Sequence, residues 1–179
     1  MLLGNLLRSV KGKYRKITIK GISFDSRQVK DGDIFFAIDG SKTSGSKFLN
    51  EAVKKGARII ITNHQTNFKK NKIPIYSVKD VRKSLSEACS NFYKKKPKNI
   101  VAVTGTNGKS SVANFYYQIM SFNKIRAASI GTLGINSKNF TKKTNLTSMD
   151  PLSLHKNLMK IKKNKINNVI VEASSHGLD

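Results

Sequence analysis

Apolar residues along the chain come in short bursts, and their spacing switches repeatedly between the period of a strand and that of a helix. In residues 17–25 (ITIKGISFD), Ile and Phe alternate with polar residues, which predicts a strand. A turn at Asp31-Gly32 leads to IFFAI (34–38), an apolar run of buried-strand length. Phe48, Leu49, Ala52 and Val53 then share one helical face that stops at Gly56. ARIIIT (57–62) and IPIYSV (73–78) predict two more strands. A helix from about Val78 to Tyr93 comes next, with Val81, Leu85, Ala88 and Phe92 on one face.

The Lys/Pro stretch YKKKPKN (93–99) interrupts this rhythm and predicts a boundary near Pro97, between domains 1–97 and 98–179. Beyond it, a strand at 100–104 runs into a glycine loop (105–109) and a helix to about Phe122. A strand at 126–130, a long polar loop (131–150) and a helix opening at Pro151 come after that. Leu152, Leu154, Leu158 and Ile161 are that helix's apolar positions, and NVIVEAS (168–174) is the last strand. Strands alternating with helices predict an α/β fold: a small α/β domain, then a second, mostly parallel-sheet α/β unit.

Composition narrows the class. An apolar share of 38% over 179 residues supports one or two globular cores. No apolar run approaches the roughly 18 residues of a membrane helix. The start, MLLGNLLRSVKGK, is too short and interrupted for a signal peptide. A single cysteine, Cys89, excludes an internal disulfide and suits a reducing cytoplasm; it reads as helix packing. The formal charge of +24 raises nucleic-acid binding as a possibility. Against it, lysines are spread along the whole chain, Arg occurs only at Arg8, Arg15, Arg27, Arg58, Arg82 and Arg126, and no aromatic-interleaved stacking surface is present. A Lys/Asn/Ile-biased composition accounts for the charge, which still attracts anionic substrates.

Three segments carry candidate chemistry. In NIVAVTGTNGKSSVANFYYQI (99–119), a strand meets a glycine loop that opens a helix. Gly105 and Gly108 let the backbone curl around an anion, whose charge would meet loop N–H groups and the helix N-terminus. Lys109 would contact outer phosphates, and Ser110 would offer a hydroxyl to Mg²⁺. The spacing departs from the strict G-x-x-x-x-G-K-[ST] form, because Val103 stands five residues before Gly108. In VIVEASSHGLD (169–179), Glu172 falls at the carboxyl end of a strand, where open α/β sheets bind ligands; beside a nucleotide loop it is a natural Mg²⁺ ligand. Ser174 and His176 come just after, but without an oriented acid or a nucleophile elbow they make no hydrolase triad. In the first domain, Asp25, Ser26 and Arg27 offer an acceptor, a hydroxyl and a forked cation, and Ser41–Gly45 offers hydroxyls and N–H groups. On their own these read as a loop with a structural Arg–Asp pair.

Together the segments resemble the Mur ligases, and within that family the tripeptide synthetases. DSR (25–27), GDIFFAIDG (32–40) and GSKFLNEAVKKGA (45–57) look like the family's UDP-substrate domain. VAVTGTNGKSS (101–111) looks like its G-T-N-G-K-[ST] ATP loop, NLTSMDP (145–151) is similar to its T-T-P-type segment, and EASSHGLD (172–179) resembles its E-V-S-S-H-G-L block. The resemblance implies UDP-substrate contacts at Phe24 and Ser26 and in a second loop at Ser41, Lys42 and Thr43. It implies ATP binding by Gly105, Thr106, Asn107, Gly108, Lys109, Ser110 and Ser111. It implies contacts near the muramoyl-peptide at Leu146, Thr147, Ser148 and Ser174, Mg²⁺ on Ser110 and Glu172, and catalytic roles for Lys109 and Glu172. The implied reaction is ATP-dependent amide formation between UDP-N-acetylmuramoyl-L-Ala-D-Glu and a diamino acid, meso-diaminopimelate or L-Lys, through an acyl phosphate, in the cytoplasm. Ser148 stands where Thr is usual, and Asp150 precedes the proline next to an anionic substrate.

Family members are much longer, with three domains. The resemblance therefore implies an N-terminal part of such an enzyme, inactive as a ligase by itself and completed by the rest of the same enzyme. A non-catalytic nucleotide- or UDP-sugar-binding remnant is the alternative.

Overall fold

The structure is a computed structural model that describes residues 1–40, 44–63, 73–138, 140–142 and 149–173. It divides into two compact units, Met1–Phe92 and Tyr93–Asp179. No helix among the described residues is long and apolar enough to cross a membrane.

The first unit is built on four parallel strands in sequential order: β1 (Gly21–Ser23), β2 (Asp33–Phe36), β3 (Ile59–Thr62) and β4 (Ile75–Ser77). Both central strands are buried along their whole length, as the continuous runs IFF and III predict for a parallel sheet covered on both faces. Phe35, Ala37 and Ile60 pack with Leu49 and Ala52 of α2 (Leu49–Lys54). Ile34, Phe36, Ile59 and Ile61 point the opposite way along the pleat and are fully buried too. A large aliphatic or aromatic side chain buried this completely contributes roughly 1.5–3 kcal/mol. The short α1 (Leu3–Leu6) lies against α3 (Val81–Phe92), where the Asn91 amide donates to the Leu6 carbonyl at 2.9 Å. Cys89 is buried in α3.

The strand predicted over 17–25 is shorter than its alternation suggests. Residues 17–19 pair instead with the amino-terminal residues: Leu3 N–H donates to Ile17 O, Ile19 N–H donates to Met1 O, and Leu2 bridges Thr18. Phe24 and Asp25 lead into a single 3₁₀ turn, Ser26–Gln28.

The second unit carries a sheet in the order β5 (Asn99–Val103), β8 (Asn168–Glu172), β6 (Ala127–Gly131), β7 (Gly134–Ser137). β5, β8 and β6 are parallel, and β7 runs antiparallel to β6. The predicted polar loop 131–150 thus contains a strand. Its sequence, Gly-Ile-Asn-Ser, has one apolar residue and no period to read; the turn Thr132-Leu133 brings it back onto β6 with Gly131 opposite Gly134. α5 (Pro151–Lys163) covers one sheet face: Leu158 and Ile161 pack with Ala128, Ile130, Ile135 and Val169. α4 (Lys109–Phe122) lies against β6 and β8.

Both long helices of this unit end the same way. Lys124 and Lys165 adopt φ of 58° and 60°, the N–H groups of Ile125 and Ile166 reach back to Met120 and Ile161, and those of Lys124 and Lys165 reach Ser121 and Lys162. This is the Schellman pattern, here with Asn-Lys-Ile in place of a glycine.

Candidate functional site

The carboxyl ends of β5, β8 and β6 converge on one small region of the second unit. Val103 pairs with Glu172, so the end of β8 lies level with the start of the glycine loop. Ile130 pairs with Val171, which puts Gly131 and Thr132 just past the same edge of β6. The loop turns into α4 through Gly108, whose φ of 80° is left-handed and favours glycine. The first N–H groups of a helix have no intrahelical partner, and they make an anion-binding end. Residues 106–111 and Thr132 line a cavity of about 310 Å³ there.

Glu172 is the buried charge of this region, only 4% exposed. A carboxylate taken out of water this far needs hydrogen bonds. The hydroxyls of Ser110 and Thr132 both donate to its Oε2, at 2.9 and 3.0 Å. Gly131 leaves the room: a β-carbon there would sit 2.0 Å from Glu172 Oε1. Lys109 does not extend outward. Its Nζ donates to the carbonyls of Gly105, at 2.5 Å, and Thr106, at 3.2 Å, folding the side chain over its own loop.

These groups fit a hard divalent cation. Mg²⁺ takes oxygen donors, keeps several waters, and is commonly held by one or two protein oxygens together with substrate phosphates. Ser110 and Glu172 supply a hydroxyl and a carboxylate side by side. Among the described residues there is no cluster of three or more His, Cys, Asp or Glu side chains.

In the first unit, Phe24 is half-buried and Ser26 is buried. The Ser26 hydroxyl donates to Glu51 Oε2 at 2.5 Å. Arg27 grips Asp25 with two side-chain N–H groups, at 3.0 and 2.9 Å, and its backbone N–H adds a third bond. This pairing holds the Asp25 carboxyl below the usual range, through the hydrogen bond from Arg27 above all. Asp39 anchors the start of the next turn: its carboxylate accepts from Ser44 Oγ and Gly45 N, both at 2.8 Å, and from Asn63 Nδ2. Ser41, Lys42, Thr43, Leu146, Thr147, Ser148, Ser174 and His176 lie outside the described residues.

Glu51 and Thr132 hydrogen-bond the candidate residues Ser26 and Glu172, and Asp39 holds Ser44 and Gly45; the sequence pattern does not single these three out. Only Thr132 carries a usable signal, a Gly-Thr pair at the carboxyl end of a strand beside the glycine loop. Asp150, unexpected next to an anionic substrate, has a structural role. It is the N-cap of α5, and its Oδ1 accepts from the Ser153 N–H at 2.8 Å, with Pro151 in the first turn.

Known protein families match both units of the chain. The pattern of the Mur ligase middle domain matches residues 103–179, and that of the "Mur ligase family, catalytic domain" matches residues 18–93. A UDP-N-acetylmuramoyl-L-alanyl-D-glutamate–2,6-diaminopimelate ligase of Rickettsia montanensis is 45% identical over 175 residues, spanning 96% of this chain and 36% of the relative. The ligase of the same name from Rhizobium meliloti (strain 1021) is 41% identical over 174 residues, again spanning 36% of its length. A solved structure of such a diaminopimelate ligase superposes with a TM-score of 0.83 at 27% identity, covering 99% of this chain and 37% of that one. The MurF ligase of Thermotoga maritima in complex with ADP, 21% identical, shares the fold with a TM-score of 0.55. The chain thus spans about a third of the length of the relatives it matches.

Proposed function

The chain belongs to the Mur ligase family, and we propose that it supplies the nucleotide-binding and UDP-substrate-binding parts of a peptidoglycan-precursor ligase. The reaction we assign to the whole ligase joins 2,6-diaminopimelate to UDP-N-acetylmuramoyl-L-alanyl-D-glutamate, as in the relatives' names, with ATP as energy source, in the cytoplasm. L-Lys in place of diaminopimelate is the alternative amine. The observation that carries this reading is the buried Glu172 hydrogen-bonded to Ser110 at the mouth of the glycine loop.

A carboxylate is a poor electrophile. Transfer of the γ-phosphoryl group of ATP to the D-Glu carboxylate forms an acyl phosphate and releases ADP. The amine then attacks the acyl carbon, phosphate leaves, and the nitrogen loses a proton to give the amide. Both partners of the first step are anions, so the site must neutralise charge. The loop N–H groups and the N-terminus of α4 receive the phosphates. Lys109, exchanging the carbonyls of Gly105 and Thr106 for phosphate oxygens, adds a positive charge without a large movement of backbone. A bound Mg²⁺ would supply positive charge to offset that developing on the phosphates. Ser110 and Glu172 are the residues that would hold it. In the first unit, Phe24 and Ser26, together with Ser41, Lys42 and Thr43, contact the UDP-sugar, and Glu51 fixes the Ser26 hydroxyl. Leu146, Thr147, Ser148 and Ser174 contact the muramoyl-peptide.

Calorimetric titration of the folded chain with Mg²⁺ and a non-hydrolysable ATP analogue tests the nucleotide site. Wild type binds, and Lys109→Ala weakens binding at least about tenfold, the loss expected for a charge-assisted contact. Equal affinity of the two proteins, or no heat from folded wild type, would overturn the assignment.

A further inference from the structure

We propose that Thr132 is a positioning residue for the metal–nucleotide site, acting through Glu172. The inference rests on reading the cavity as a Mg²⁺–nucleotide site. Glu172 is held from two sides, by Ser110 in the first turn of α4 and by Thr132 at the turn between β6 and β7. Both hydroxyls donate to the same oxygen, Oε2, and a hydroxyl has one proton to give. Ser110 also faces the cavity, where its lone pairs are the ones a cation would use. With its lone pairs given to a cation, Ser110 can keep its one proton on Glu172, and Thr132 adds a second hold on the same oxygen from a separate strand end, which fixes the direction of the carboxylate.

Its construction suits that task. Thr is β-branched and stiff at χ1, so its hydroxyl is pre-aimed. It sits in a tight turn closed by Gly131 opposite Gly134. Gly131, directly before it, leaves space that the Glu172 carboxylate occupies; a β-carbon there would lie 2.2 Å from Cδ. The strand end therefore does two things at once. It opens a slot for the carboxylate at Gly131, and it locks the carboxylate in that slot with the next residue. Outer-shell partners of this kind typically alter metal affinity about 10- to 100-fold when removed.

The test measures binding of Mn²⁺ with a non-hydrolysable ATP analogue to the 179-residue chain by electron paramagnetic resonance, alongside metal-free analogue binding. Thr132→Val is expected to weaken Mn²⁺-dependent binding about tenfold or more, and to do so more than it weakens metal-free binding. Thr132→Ser restores the hydroxyl and recovers most of the loss. In a Glu172→Gln background, Thr132→Val adds little, because the two act as one unit. Wild-type affinity in Thr132→Val overturns the inference. So does an equal loss with and without metal, which marks a purely structural role, or an undiminished loss in the Glu172→Gln background. If circular dichroism shows that the Val variant does not fold, Thr132→Ala against Thr132→Ser makes the same comparison. Folded wild type that binds neither nucleotide nor Mn²⁺ refutes the site itself, and with it this inference.

Discussion

At the scale of single residues, the decisive groups are those whose chemistry conflicts with their surroundings. Glu172 is tolerated because two hydroxyls meet it and Gly131 makes room for it. His155 on α5 is less well served: its Nδ1 is buried without a hydrogen-bond partner. Burial, and secondarily the charge of Lys96, hold its pKa below the ordinary 6.5. The unfolded chain thus takes up a proton at higher pH than the folded one, so the folded state loses stability as pH falls below about 6.5 and recovers above it. Denaturant titrations at pH 7.5 and 5.5 should show His155→Gln gaining on wild type at the lower pH. An identical acid loss in both proteins would remove His155 from the account. The glycine loop and Glu172 are readable at this scale because residue type and strand-end position are both sequence properties. Thr132 shares the strand-end signal, but its pairing with Glu172 is not readable, since that partner lies forty positions away.

At the scale of elements, capping chemistry decides where the helices of the second unit begin and end. Asp150 with Pro151 starts α5, and the Asn-Lys-Ile endings stop α4 and α5. Asp150→Ala removes the acceptor for the Ser153 N–H and should cost about 1 kcal/mol. In a unit of this size that is roughly 4–8 °C in the unfolding temperature by calorimetry. A shift below about 1 °C would mean that water replaces the cap at no cost. The start of α5 is legible, since Pro at a first turn is a sequence signal. Its cap is not, because an acidic residue before a proline has the same sequence whether its side chain turns to the helix or to a substrate. β7 is invisible for a different reason. A strand with a single apolar residue is defined by the partner it pairs with, and β6 supplies that partner only once the turn at Thr132-Leu133 closes.

At the scale of the molecule, several large apolar side chains among the described residues of the second unit stay exposed. Val112, Phe115, Ile119 and Phe122 form one stripe of α4, and Phe122 is 90% exposed. Ile100 and Val101 of β5, which ends the sheet, are exposed as well. Contiguous exposed apolar surface binds dyes and other proteins. Opposing this, a net charge of +24 makes copies of the chain repel one another at low ionic strength. The chain should therefore enhance the fluorescence of an anilinonaphthalene dye while folded, and self-associate more as salt screens the charge. Sedimentation velocity across a salt series checks this, with Phe115→Ser/Ile119→Ser/Phe122→Ser reducing both effects. A monodisperse, dye-silent chain at high salt would show that the stripe is covered in solution.

The α/β alternation, the two-part division and the glycine loop come from local patterns, because period, turn residues and capping are written over a few neighbouring positions. So does the long helix after the loop, though not which of its faces is buried. Ala113 is the fully buried residue of α4, with Tyr116, Tyr117 and Met120 half-buried, while Val112, Phe115, Ile119 and Phe122 stay exposed, and only the placement of β6 and β8 decides that. The same holds for the site. Sequence names the loop and the acid separately, sixty-odd positions apart. Strand register brings them together, with Val103 opposite Glu172 and Thr132 at the neighbouring strand end, because in a parallel sheet the ends of strands distant in sequence meet at one edge.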